Sequence, residues 1–317
     1  MKIAFVFPGQ GSQYEGMAKD FKDRFESARD IFDRADSSLG YSISKLCFEG
    51  PQSDLNLTAN TQPALLTVSA VVAAAIKETA PVTVSACAGH SLGEYSALCF
   101  AESLTIDTAV SLVHERGKAM QSATPQGVGA MAAIIGLADG LADDVCREAG
   151  QGQIIQAANF NGPGQVVLSG HREAVERAIL IARSKGARKG IMLPVSAPFH
   201  CALMKPAAET MLGILHRSDI RSPVIPLVNN ADADYLEPTP ATVIDSLYRQ
   251  ITAPVRWEES IRRMRADGIE CFIEIGAGKV LTNMIKRIVP EAECLSVGSV
   301  DDLENFAQYV ATKGLIP

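Results

Sequence analysis

The 317-residue chain is short of basic side chains, of tryptophan and of regularly spaced cysteine. Lys and Arg number 29 against 36 Asp and Glu, for a formal net charge of −7. No basic excess is available to neutralise phosphates, which argues against a general nucleic-acid binder. Seven cysteines occur with no Cys-x-x-Cys pair. An odd, unpatterned set suits reduced thiols in a cytoplasm better than a disulfide framework or a zinc site. No apolar run is long enough to cross a bilayer. The longest, Ala64 to Ile76, reads as a buried helix, and the run Ile3–Phe7 meets Pro8-Gly9 too soon for a signal peptide. Nucleotide-binding turns are missing as well. Gly9-x-Gly11 is followed only by Gly16, so Gly-x-Gly-x-x-Gly fails, and "GAGKVL" at 276–281 lacks phosphate-loop spacing. No metal, nucleotide or redox cofactor is expected.

What is present is apolar material, 47% of the residues, in short runs that end at turns. Strands are predicted at Ile3–Phe7, Val82–Ala88, Ile225–Val228, Cys271–Ile275 and Cys294–Val297, with helical patterns between them. This alternation predicts a mostly parallel sheet covered by helices on both faces. The middle of the chain differs. Strands at Ala130–Ile135, Ile154–Ala158, Gln165–Leu168 and Arg188–Val195 surround helices at Ala138–Glu148 and His171–Ser184. That β-α-β-β-α-β order is the split arrangement of a ferredoxin-like unit. The expected fold class is therefore α/β: a hydrolase-like parallel-sheet core, residues 1–124 and 197–317, with an inserted ferredoxin-like α+β subdomain, residues 125–196.

The pentapeptide Gly89-His90-Ser91-Leu92-Gly93 lies between a predicted strand and a helix beginning near Glu94. Gly-x-Ser-x-Gly in that setting is a nucleophile elbow. A β-carbon at either glycine would crowd the flanking strand and helix. The turn lifts Ser91 to the carboxyl edge of the sheet and aims the Leu92 N–H at a developing oxyanion. The serine needs a base, and five histidines are available. His90 reads as a turn-stabilising neighbour, His114 and His216 as helical, and His171 as a solvated group. His200 follows a predicted strand beside Pro198 and Phe199, where a neutral imidazole can serve as base or simply pack in the core. Hydrolases with this elbow place the histidine near the C-terminus, yet none follows His216. An esterase of the usual order is thus disfavoured.

The segment 105–121 reads as a helix capped by Thr105, with Ile106, Ala109, Val113 and Met120 on its apolar stripe. Arg116 falls inside that stripe. A guanidinium on the core side is costly unless an anion meets it. Two readings fit the pattern: an internal salt bridge, or a grip on a substrate carboxylate.

Taken together, several motifs resemble the malonyl-CoA:acyl carrier protein transacylases over nearly the whole chain. They are "FVFPGQGSQ" at 5–13, "NTQPALL" at 60–66, "GHSLGEYSAL" at 89–98, "RGKAMQ" at 116–121, "NGPGQVVLSG" at 161–170, "FHCALMKPA" at 199–207 and "EIGAGKVLT" at 274–282. The resemblance implies malonyl transfer from malonyl-CoA to the phosphopantetheine thiol of an acyl carrier protein, in the cytoplasm. It implies Ser91 as nucleophile and His200 as base, with the backbone carbonyl of Gln250 in place of the usual acid. Gln10 and Leu92 would supply the oxyanion N–H groups, and Arg116 would bind the malonyl carboxylate. Phe199 would narrow the acyl pocket, with Asn161 and Gln165 beside the site. The family's carriers are acidic, so docking needs a local basic patch. Arg172, Arg177, Arg183, Lys185, Arg188 and Lys189, with Lys279 or Lys286, either form it or are ordinary solvated charges. A serine hydrolase or thioesterase, a trans-acting polyketide acyltransferase and a non-catalytic carrier-binding protein are the alternatives.

Overall fold

In the computed structural model the strand β1 (Lys2–Phe7) is the middle of a five-stranded sheet. Residues 1–195 and 197–315 are described, so Ser196, the expected end of the insertion, and the last two residues of the expected core lie outside them. In chain order the strands are β1, β2 (Val84–Gly89), β3 (Gly129–Ile135), β4 (Ile155–Gly162), β5 (Gln165–His171), β6 (Lys189–Met192), β7 (Leu227–Val228), β8 (Ile269–Ile275) and β9 (Glu293–Val297). The larger sheet runs β7-β2-β1-β8-β9 and is parallel throughout.

The apolar runs are continuous because both faces of this sheet are covered. Alternate residues of β1 show it. Ile3, Phe5 and Phe7 face a core with Leu65, Val68 and Leu98, from the helices Thr58–Thr79 and Leu92–Phe100. Ala4 and Val6 face the opposite core of Trp257, Ile261 and Ile285. The helix Thr58–Thr79 is longer than the apolar run predicts and contains Pro63. Its length and composition would let it cross a membrane, but 78% of its apolar window is buried inside the protein. The strand expected at Ile225–Val228 shrinks to two residues. Pro226 has no N–H for a ladder, although its carbonyl still accepts from the Cys87 N–H at 2.8 Å.

The second sheet is antiparallel with order β4-β5-β3-β6, the ferredoxin-like arrangement. It packs on the helices Leu141–Gly150 and Arg172–Ser184. Strand β4 runs four residues beyond the predicted Ala158, through Asn159 and Asn161, which are buried. Two polar residues there erase the apolar signal that the prediction relied on. Strand β6 stops at Met192, short of the predicted Val195, before Pro194. The free edge of β4 is sewn to the larger body. Phe160 N–H donates to the Val255 carbonyl at 2.9 Å, and Val255 N–H to the Ala158 carbonyl at 2.8 Å.

Candidate active site

Strand β2 ends at Gly89, and the helix Leu92–Phe100 starts two residues after His90. Ser91 spans the turn with φ 51° and ψ −107°, a conformation that costs a side-chain-bearing residue about 1–3 kcal/mol. The glycines make the turn feasible. A β-carbon on Gly89 would lie 1.9 Å from the Gly93 carbonyl carbon, and one on Gly93 would lie 2.0 Å from the Phe7 carbonyl oxygen.

Ser91 Oγ and His200 Nε2 are 2.8 Å apart, although 109 residues separate them in sequence. His200 is itself left-handed, with φ 58°, and is buried. Its Nδ1 lies 2.9 Å from the backbone oxygen of Gln250. A carbonyl only accepts, so Nδ1 carries the proton and Nε2 presents a lone pair to the serine. Gln250 is the last residue of the helix Pro240–Gln250, where carbonyls have no partner within the helix. Burial, and secondly the Arg116 cation, push the His200 pKa down to about 3.

Arg116 is 1% exposed, on the helix Ile106–Ser122, which Thr105 caps as predicted. Its Nη1 donates to Gln62 Oε1 at 2.9 Å, and its Nη2 to Gln250 Oε1 at 2.8 Å and to Ser91 Oγ at 3.1 Å. Nε has no partner, and the guanidinium carbon lies 5.5 Å from the centre of the Tyr95 ring. No carboxylate pairs directly with Arg116 among the described residues, so the internal salt bridge is not formed. Burial lowers its pKa, and Glu94 opposes that shift through space.

Ser91, His200 and Arg116 open into a cavity of about 120 Å³ with Gln10, Leu92 and Phe199. Leu92 is the first helical residue, so its N–H has no partner within the helix. Larger grooves exist, one of about 500 Å³ around Phe100 and Ile106, but it holds none of the predicted site residues.

Of the two expected neighbours, Asn161 stands beside the site and Gln165 does not. Asn161 does not line the cavity; its Oδ1 accepts from His90 Nε2 at 2.8 Å, directly behind the serine. Gln165 lies in a separate cleft with Phe160 and Glu258, because it opens β5 on the far side of the Gly162–Gly164 turn. His171 is not freely solvated either, since its Nδ1 accepts from the Ile154 N–H at 3.0 Å. Within the basic segment, Arg177 is tied to the carbonyls of Ala149 and Gly150, and Lys185 pairs with Glu148 at 3.0 Å.

Sequence reasoning missed Gln62, Asn159, Asn230 and Glu94. Asn159 lines the cavity. Asn230 Oδ1 accepts from the Ser91 N–H at 2.7 Å. Glu94 is fully buried one turn after the serine, and a charge in the apolar helix "LGEYSALCF" is the signal that could have found it. Among the described residues no group of three or more His, Cys, Asp or Glu could hold a metal.

Comparison with known proteins gives the family. The acyl transferase domain model matches residues 4–312. The malonyl CoA-acyl carrier protein transacylase of Escherichia coli K12 is 46% identical over 91% of this chain and 93% of its own. That of Bacillus subtilis 168 is 44% identical over 96% of this chain and 95% of its own. An acyl carrier protein S-malonyltransferase from Vibrio cholerae superposes with a TM-score of 0.94 at 44% identity, covering 96% of this chain and 100% of that one. A malonyl-transacylase solved in complex with a type II PKS acyl-carrier protein gives 0.95 at 42% identity, covering 98% and 100%. Sequence, fold and the serine elbow agree: the chain belongs to the acyl transferase family, among the malonyl CoA-acyl carrier protein transacylases.

Proposed function

We propose that this protein moves a malonyl group from malonyl-CoA to the phosphopantetheine thiol of an acyl carrier protein, through a malonyl ester on Ser91. The observation that carries the reading is the set of contacts at Ser91 Oγ. It lies 2.8 Å from a histidine nitrogen with a free lone pair and accepts from a buried guanidinium at 3.1 Å. With its acceptor side taken by Arg116, the hydroxyl hydrogen points at His200.

The cycle is ping-pong. His200 takes the Ser91 proton as Oγ attacks the thioester carbonyl. The tetrahedral oxyanion faces the N–H groups of Leu92 and Gln10, each worth about 3 kcal/mol to the barrier. The carbon–sulfur bond breaks, and His200 returns the proton to the departing CoA thiolate. The carrier's thiol then gives its proton to His200, attacks the ester carbonyl and restores Ser91. Arg116 takes the malonyl carboxylate, and Phe199 borders the acyl space. A carboxylate on Arg116 offsets the field that depresses His200, so the base strengthens when the correct acyl group is in place. The chemistry calls on no metal or redox cofactor. Seven free cysteines support a cytoplasmic location.

The test is intact mass after mixing with malonyl-CoA alone. One malonyl adduct is expected on the parent and none on Ser91→Ala. An unmodified parent, or an adduct that survives in the variant, overturns the reading. With carrier added, malonyl-carrier is the expected product; free malonate alone would mean a hydrolase.

A further inference from the structure

Both main-chain polar atoms of Ser91 end on side-chain amides. Its N–H donates to Asn230 Oδ1 at 2.7 Å, and its carbonyl accepts from Gln250 Nε2 at 3.0 Å. Asn230 also grips the neighbouring peptide, donating from Nδ2 to the Gly89 carbonyl at 2.7 Å. Asn230 and Gln250 each have a second anchor, and it is the same atom. Glu94 Oε2 accepts from the Asn230 backbone N–H at 2.9 Å and from Gln250 Nε2 at 3.0 Å. Its Oε1 accepts from Ser246 Oγ at 3.1 Å. Glu94, Asn230, Ser246 and Gln250 are all buried.

We propose that Glu94 is a positioning residue: one buried carboxylate oxygen clamps the two residues that hold Ser91 in its left-handed turn, Asn230 by its backbone N–H and Gln250 by its side-chain amide. The turn is unfavourable for a serine, so it persists only where its surroundings over-determine it. The helix places Glu94 one turn from Ser91, and the Glu94 N–H itself donates to the Ser91 carbonyl at 3.1 Å. The clamp also fixes which way the Gln250 amide faces. With Nε2 drawn to the carboxylate, Oε1 points at Arg116 Nη2, 2.8 Å away. Arg116 thus has a counter-charge one amide removed. Direct pairing would occupy the guanidinium that the substrate carboxylate needs, whereas an intervening amide leaves it available.

The proposal rests on Ser91 as the nucleophile, so one arm of the test uses no acyl-CoA. A fluorophosphonate probe forms an Oγ–P bond, releases fluoride and passes the serine proton to His200, reading Ser91 reactivity alone. Glu94→Met removes both acceptors at similar volume. Glu94→Gln keeps one oxygen for the Asn230 N–H and the Gln250 amide and turns its own NH2 to Ser246. Probe labelling and single-turnover loading of malonyl and acetyl groups are followed by intact mass. Glu94→Met is expected to lower all three rate constants by about 100-fold, with KM within threefold, and Glu94→Gln to restore at least a tenth of the parent rate. Should Glu94→Met fail to fold, Asn230→Ala breaks the same tie one link later and should show the same uniform loss. Ser246→Ala touches only the other oxygen and should stay within threefold. Parent-like labelling in Glu94→Met, or in Asn230→Ala where the former does not fold, overturns the proposal. So does a loss in Ser246→Ala as large as in Asn230→Ala. A parent that takes the probe but never malonyl sinks the functional reading and leaves the clamp standing.

Discussion

Replacing Arg116 with alanine separates recognition of the acyl group from the chemistry performed on it. In the parent the guanidinium is 1% exposed and already has neutral partners in Gln62, Gln250 and Ser91. An acetyl group leaves those contacts as they are. A malonyl group brings a carboxylate into a cavity of about 120 Å³, where little water can accompany it. Removing one partner of a buried ion pair costs about 3–5 kcal/mol. At about 1.4 kcal/mol per tenfold, kcat/KM for malonyl-CoA should fall by roughly 10²–10³ or more. Acetyl loading should stay within about tenfold of the parent. Loss of the nearby cation also lets the His200 pKa rise, and burial alone keeps the base neutral at pH 7. The assay is single-turnover loading from each thioester, read by intact mass. A malonyl-to-acetyl ratio that shifts by less than tenfold would refute the grip of Arg116 on the malonyl carboxylate.

The pH dependence has a defined sign. His200 is held near 3 when folded and titrates near 6.5 when unfolded, so between those values only the unfolded chain binds the proton. Its contribution is complete above about pH 6.5 and is lost as pH falls, by about 1.4 kcal/mol per unit. Urea unfolding at pH 6.5 and 4.5 should show His200→Gln losing about 2–3 kcal/mol less than the parent; equal losses would contradict the buried neutral base. For the same reason, kcat/KM should show no break near pH 6.5 from this group. Gly93→Ala forces a β-carbon to 2.0 Å from the Phe7 carbonyl oxygen, which is backbone in the central strand and cannot yield cheaply. A loss of about 3 kcal/mol or more is expected by urea unfolding, and an unchanged midpoint would show that the elbow is looser than described.

The sequence carried the larger sheet well because buried parallel strands leave apolar runs that stop at turns. It carried the elbow because Gly89 and Gly93 admit no substitute at those contacts. Arg116 was legible as a charge inside an apolar stripe, but the choice between ion pair and ligand grip needed coordinates. Glu94 gives the same kind of signal, a lone charge inside an apolar helix, but its partners Asn230 and Gln250 lie 136 and 156 positions away, where no local pattern points to them. Asn230 gave none: it follows a two-residue strand in "VNNAD", where no periodicity marks an inward face. Gln165 shows the limit of motif resemblance. It shares a tight turn with Asn161, yet Asn161 backs the serine while Gln165 opens into another cleft.

The stitching of β4 to Val255 bears on attempts to build chimeras in this family. Residues 125–196 look like a cassette in sequence, yet the backbone of their outer strand is completed by a segment some sixty residues beyond their end, and Asn161 reaches across to His90. A graft exchanging only the cassette would import a strand cut to fit another host's Val255 and His90 counterparts. Swapping all three pieces together is the route by which a donor's acyl preference should travel intact.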